Sequence, residues 1–375
     1  MAAACAIACS ATAHAADPDD EQDALSIRGV AGEILDVAVE HCRRGERGEA
    51  LAMFTAIREQ LDPPPAIRQL ILEMEATGCH SPAMAQGGSL RLQVGGGWDS
   101  NVSQGITART LVLGSGADAI ELELDPSYRP RSAHFLHAMA DYSLLLPRYG
   151  ANLQFALGQR VNFGASEFDL RTVSAAAGRE FTLPVGSLRA QLDWTEIWLG
   201  ERHYQRTGGL QLQWLHNLPR GAWLGTLQGT SVRYLTQPQQ DAVVWEASLL
   251  REWRLAPAYS IHAALSAQRD DARGARPGGD RAGYQVSAGA VALTHGWRVR
   301  PQVSYTDWRS DDIFAPGLLD LRRRNRLTQL SLHAERPLAQ NTSLVLEWRG
   351  RRSRDSIALY RYSAQSINAT LAFRF

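Results

Sequence analysis

The chain has 375 residues and a formal net charge of zero, with 39 basic side chains set against 39 acidic ones. That balance leaves no electrostatic case for nucleic acid as a partner. Every basic residue is arginine, which excludes lysine Schiff-base or general-base chemistry.

Residues 1–15, MAAACAIACSATAHA, are a short run of small apolar residues ending in Ala13-His14-Ala15, the pattern of a signal peptide cleaved before Ala16. A positively charged n-region is missing, which is consistent with a translation start upstream of Met1. Cys9 after Ala8 could also serve lipid attachment, but the apolar run before it is too short. Removal of the signal leaves Cys42 and Cys79, either a disulfide in an oxidising periplasm or two small buried hydrophobes. No CxxC or His/Cys cluster marks a metal site. The stretches GSGAD and GGGWDS lack the lysine and helix of a phosphate loop, so no cofactor is expected.

Residues 16–87 follow a helical period and read as a small periplasmic domain. Ala50, Met53, Phe54, Ile57 and Leu61 share one helical face, as do Ile34, Leu35, Ala38 and Cys42. A third pattern opens after Pro63-Pro64-Pro65, runs through Ile67, Leu70, Ile71 and Met74, and closes at Gly78. Ala38, Gly45, Ala50 and Phe54 resemble one tetratricopeptide unit; a helical plug or cap fits the same pattern.

From residue 88 to 375 the period becomes two. Leu188, Ala190, Leu192 and Trp194 alternate with Arg189, Gln191 and Asp193, and Leu344, Leu346 and Trp348 alternate with Glu347 and Arg349. A polar set that recurs strand after strand implies a wet second face rather than a dry sandwich core. The spacing predicts a transmembrane β-barrel of about 14 antiparallel strands, each of roughly 11 to 13 residues. Short turns near residues 147–150, 184–186, 219–221, 256–258, 296 and 337–340 alternate with loops at 99–133, 164–169, 200–207, 236–241, 270–281, 309–324 and 353–362. That alternation places both termini in the periplasm. The ten tryptophans begin at Trp98, as an interfacial girdle requires. In the last strand, INATLAFRF, Phe373 and Phe375 form the kind of aromatic signal read by the barrel assembly machinery, and pairing with the first strand would remove its free edge.

The junction LQVGGGWDSNVSQG, with Trp98, Asp99, Ser100 and Asn101, resembles the first barrel strand of the surface lipoprotein assembly modifier (Slam) family. The last hairpin, with Arg354-Asp355-Ser356 and Leu359-Tyr360, is similar to that family's C-terminal hairpin. The resemblance implies periplasmic tetratricopeptide helices joined to a fourteen-stranded outer-membrane barrel. It also implies help in moving lipoproteins or other exported proteins to the surface of a Gram-negative cell. Arg189, Asp193, Glu347 and Arg349 are then candidate lumen contacts for the client. Two arginine groups, Arg322, Arg323, Arg324 and Arg326, and Arg349, Arg351, Arg352 and Arg354, suit either a client or lipopolysaccharide phosphates and loop acids. Asp99 and Asn101 suit a hinge or simple loop shaping.

Two other classes fit a barrel. One is a passive or exopolysaccharide-conducting porin, although such exporters carry long repeat arrays and this chain has one recognisable unit. The other is an outer-membrane enzyme, for which His134, His137 and His203 are the available bases; no nucleophile motif surrounds them, so no enzymatic activity is expected. The acidic segment from Asp118 to Asp125 shows no calcium-ligand spacing.

Overall fold

The computed structural model describes residues 35, 37–39, 47–60, 63, 65–76, 88–113, 120–146, 151–218, 220–256, 258–339 and 341–375. Residues 1–15, Cys42, Cys79 and Gly78 lie outside them. The chain divides into two units, residues 1–87 and 88–375.

In the first unit, α1 (Arg47–Gln60) and α2 (Pro65–Ala76) are joined by a short proline-rich link. Proline suits the start of α2, where a backbone N–H would have no helical acceptor. Phe54 and Ile57 of α1 are fully buried with Ile71 and Met74 of α2, and Leu35 and Ala38 complete the cluster. Arg58 and Glu75 pair across the two helices. Leu70, expected on the buried face, is instead exposed: Ile67, Ile71 and Met74 make the contact stripe and Leu70 lies at its edge. No described helix is long and apolar enough to cross a membrane.

The second unit is a closed antiparallel barrel, with fourteen strands in it among the described residues. It starts with β1 (Gly88–Asp99). The first long connection contains a separate small hairpin, β2 (Thr110–Leu113) and β3 (Ile120–Glu123). The barrel then continues through β4 (Ala133–Leu146), β5 (Ala151–Asn162), β6 (Leu170–Thr182), β7 (Ser187–Leu199) and β8 (Arg202–Leu218). Next come β9 (Gly221–Tyr234), β10 (Ala242–Ala256), β11 (Tyr259–Ala272) and β12 (Arg281–Thr294). It ends with β13 (Trp297–Ala315), β14 (Leu319–Ala339), β15 (Thr342–Asp355) and β16 (Tyr362–Arg374). Each barrel strand pairs with its neighbour in sequence, and β16 returns to β1.

The hydropathy pattern located every barrel strand but misjudged some ends. The expected loop at 309–324 is mostly strand, because β13 and β14 run to 19 and 21 residues and meet in a turn at Gly317. The expected loop at 200–207 shrinks to a turn at Gly200, with β8 starting at Arg202. Neither extension alternates: residues 202–207 are polar, and within 309–324 Ile313-Phe314 and Leu318-Leu319 are adjacent pairs, so the ladder continues where the apolar alternation that betrays a membrane strand has stopped.

Register divides the side chains into two faces. Val94 lies opposite Leu371 and Ala138, and Leu371 opposite Leu344. This face continues around the barrel through Leu136, Leu192, Leu227, Leu265, Leu330 and Ile367, all exposed. An apolar band of that extent faces hydrocarbon. At the end with short turns the Arg251 guanidinium lies over the rings of Trp223 and Trp253, and Arg336 over Trp297. That is the amphipathic pairing of a membrane interface. Trp308 departs from the girdle, because its register opposite Gly283 and Asn325 places it on the lumen face. At the other end, aspartates fasten the loops to strand ends. Asp169 accepts from Asn162 N (2.6 Å), Asp241 from Tyr234 N (2.7 Å) and Asp280 from Ala272 N (2.8 Å).

Candidate functional site

The four-residue motif at the end of β1 sits where the barrel closes. Trp98, opposite Ile367, faces outward, while Asp99, opposite Ser366, faces the lumen. Asp99 Oδ1 accepts from Asn101 N at 2.9 Å, turning the chain. Its other oxygen accepts from Arg160 Nη2 at 3.2 Å, and the same guanidinium lies 3.8 Å from the centre of the Phe135 ring. Ser100 and Gln365 are doubly bonded: Ser100 N donates to Gln365 O (2.8 Å) and Gln365 N to Ser100 Oγ (2.7 Å). Asn101 is buried, and its amide donates to Gly105 O (2.9 Å) and to Ser363 O (3.0 Å) while its oxygen accepts from Gly105 N (2.7 Å). These bonds clasp β1 and its loop to the start of β16.

At the opposite end Leu90 and Phe375 exchange two backbone hydrogen bonds, Leu90 N to Phe375 O (3.0 Å) and Phe375 N to Leu90 O (2.9 Å). Phe373, opposite Leu92, faces outward. Between the two ends β1 presents glycine. A Cβ on Gly97 would overlap the Ile367 carbonyl and approach the Phe135 ring at 2.8 Å; one on Gly95 would overlap the Ala369 carbonyl. The space so left lets His137 of β4 reach over β1, its Nε2 3.1 Å from Thr370 Oγ1 on β16. Nothing in the hydropathy pattern singles out His137 or Thr370. The run Gly95-Gly96-Gly97 is the signal in the sequence that marks this close approach.

All four candidate residues face the lumen, but they fall into two separate pairs rather than one site. Arg189 and Asp193 lie on β7, where Arg189 Nη2 donates to Gln191 Oε1 at 2.7 Å. Glu347 and Arg349 pair on β15, and Asn368 Nδ2 donates to Glu347 Oε2 at 3.4 Å. In the ring of strands β7 and β15 stand on opposite walls. Arg160, Arg349, Arg351, Asp99 and Ser366 line a cavity of about 300 Å³ near the clasp. The Nε atoms of Arg91, Arg189, Arg349 and Arg351 have no hydrogen-bond acceptor from the protein. Elsewhere the lumen is rich in amides and hydroxyls, such as Gln211, Gln228 and Thr230, or Gln285 and Thr306.

The arginine groups separate by face. Arg349 and Arg351 point inward, whereas Arg352 and Arg354, opposite Thr328 and Arg326, point outward. Arg324 binds the buried Asp307 through Nε at 2.9 Å, with Arg309 and Arg326 at 3.6 and 3.7 Å. Arg323 binds Asp355 at 2.9 Å and stacks on Tyr360, so the residues that carry the C-terminal resemblance hold the last loop together. His134 and His137 occupy opposite faces of β4. His203 pairs with Glu196 and stacks on Trp198 rather than meeting Glu201. Among the described residues no group of three metal-binding side chains converges.

No protein-family model matches the chain, and no curated protein sequence does. Solved structures similar to it include an anion-selective porin from Comamonas acidovorans, 10% identical, covering 77% of this chain and 99% of that one, with a TM-score of 0.40. A bacterial polysaccharide outer membrane secretin (11% identical, covering 77% and 99%) gives 0.42. A Pseudomonas aeruginosa FadL homologue (9% identical, covering 78% and 91%) gives 0.43. At such values the likeness carries no functional argument. The closed ring of an even number of strands, its apolar outer band and its polar lumen make this an outer-membrane β-barrel fold.

Proposed function

We propose that the protein is an outer-membrane export factor, assisting a lipoprotein or other exported protein to the cell surface. Its short-turn end and helical unit face the periplasm in this reading, and its long loops face outward. The observation that carries it is the position of the Trp98-Asp99-Ser100-Asn101 motif. The residues that give the Slam resemblance are the ones that fasten the first strand to the last. A clasp placed where the first and last strands meet suits a barrel that must receive or release a client along that seam. The test is surface labelling of a lipoprotein encoded beside this gene, with and without the barrel. Loss of surface signal while the lipoprotein stays in the membrane fraction supports export; unchanged display ends it for that client.

A second reading, a conduit for polar solutes, is favoured by the amide- and hydroxyl-rich lumen with its arginine Nε atoms that have no protein acceptor. Planar-bilayer recording separates the two, since a large stable current with unchanged lipoprotein display belongs to a porin.

A further inference from the structure

The membrane-facing surface beside the seam carries a groove that neither reading uses. It has a volume of about 690 Å³ and runs across β14, β15, β16 and β1. Trp98 and Trp348 wall it, and Gly350, between Leu330 and Gln365 in register, leaves a notch in its floor. The Trp348 ring lies against that glycine, 3.2 Å from where a Cβ would stand.

Arg352 and Arg354 rise at the long-loop end of the groove, exposed and with no carboxylate partner among the described residues. Beside them Arg309, Arg324 and Arg326 share the single carboxylate of Asp307. Five arginines therefore face one aspartate on this side. Towards β11 the balance differs, for there Arg269 has Asp271, Asp280 and, reaching across from β13, Asp311 within 3.1 Å. The charge excess is local to the groove and not a property of the whole rim.

We propose that this groove binds a phosphorylated acyl lipid of the outer leaflet, of the bis-phosphorylated glycolipid class. Acyl chains lie between Trp98 and Trp348 and over Gly350, and phosphates meet Arg352 and Arg354. Guanidinium forks match phosphate oxygens in bidentate geometry, and they are strongest where no carboxylate competes. A neutral acyl lipid would fill the groove yet leave the arginines unmatched. Placing the site in the outer leaflet rests on the orientation proposed above; binding itself does not, so it is measured on purified protein.

The experiment uses the full chain in detergent, its folding checked by heat-modifiable gel mobility. Native mass spectrometry compares bis-phosphorylated lipid A with its dephosphorylated form and with a neutral triacylated lipopeptide. The phosphorylated form should bind at least about tenfold more tightly, a difference of about 1.4 kcal/mol. The double variant Arg352→Gln with Arg354→Gln should abolish that preference, while Arg233→Gln on β9 should preserve it. Lipid with brominated chains should quench tryptophan fluorescence in the parent and less so in Gly350→Leu, whose notch is filled. Equal binding of the dephosphorylated lipid or the lipopeptide, or an unchanged preference in the double arginine variant, overturns the proposal. So does a stable dimer through this face that excludes the lipid.

Discussion

The seam between β1 and β16 and the wall between β10 and β11 use the same antiparallel ladder but hold together differently. Pairing at the wall runs from Ala242 opposite Ala272 to Ala256 opposite Tyr259, with large side chains such as Trp245 and Leu249 on the outer face. Pairing at the seam is shorter, from Arg91 opposite Arg374 to Asp99 opposite Ser366, and three successive positions of β1 are glycine. The seam compensates at its extremities. Asn101 and Ser100 clasp one end, Leu90 and Phe375 close the other, and His137 braces the middle from the next strand. Both are stabilised residue by residue along a ladder, and the seam adds a few named contacts at its ends and across its glycines.

The largest effect should come from filling the close approach. Gly97→Val places side-chain atoms on the Ile367 carbonyl, which neither partner can yield without breaking the ladder. Overpacking of this kind costs about 1–3 kcal/mol or more. The folded, heat-modifiable form should fall sharply, while Gly225→Ala, where the nearest atom to a Cβ is 3.5 Å away on Trp214, should assemble normally. Equal assembly of both variants would erase the distinction between seam and wall.

Asn101→Ala comes next. It removes the buried amide that holds Gly105 and Ser363, for roughly 1–3 kcal/mol. Amide exchange should accelerate on both sides of the seam. Thr306→Val removes a buried polar side chain far from the clasp, one that donates to Gln285 Oε1 at 3.1 Å, and should loosen only its own hairpin. If both variants loosen the seam, the clasp is not special to closure.

A smaller coupling is expected between His137→Phe and Thr370→Val. Their single hydrogen bond across Gly95 should give an interaction energy of about 0.5–1.5 kcal/mol in a double-mutant cycle. A cycle that closes with no coupling would remove the central brace.

The smallest effect concerns the loop beyond the clasp. Ser127 N donates to Asp125 Oδ1 at 2.7 Å, and this bond holds the Asp125 carboxyl below its ordinary range. A depressed carboxyl stabilises its turn above the unfolded pKa of about 4 and loses that contribution as pH falls through the lowered folded value. Protection of the Ser127 amide, corrected for intrinsic exchange, should therefore fade in acid and be pH-independent in Asp125→Asn. Seam amides should not follow it; if they do, loop and clasp form one cooperative unit.

The barrel was legible because membrane strands must alternate. Leu188 to Trp194 and Leu344 to Arg349 show the period directly, and Gly88 marks the change from helical spacing. The β13–β14 extension was not legible, since its apolar residues come in the adjacent pairs Ile313-Phe314 and Leu318-Leu319 around Pro316-Gly317 and not at alternate positions. The motif was visible as Trp98-Asp99-Ser100-Asn101, but its partners Ser363 and Gln365 lie at the far end of the chain, and no local pattern connects them.

By itself, then, the sequence determined strand number and the alternation of outward and inward residues along each strand, because both follow from local periodicity. Only the tertiary structure decided which of those residues meet. Closing the ring put β7 and β15 on opposite walls, split the arginine run between lumen and membrane face, and brought Asn101 to Ser363 and His137 to Thr370. Those neighbours are set by register around fourteen strands, a long-range quantity that no window of sequence contains.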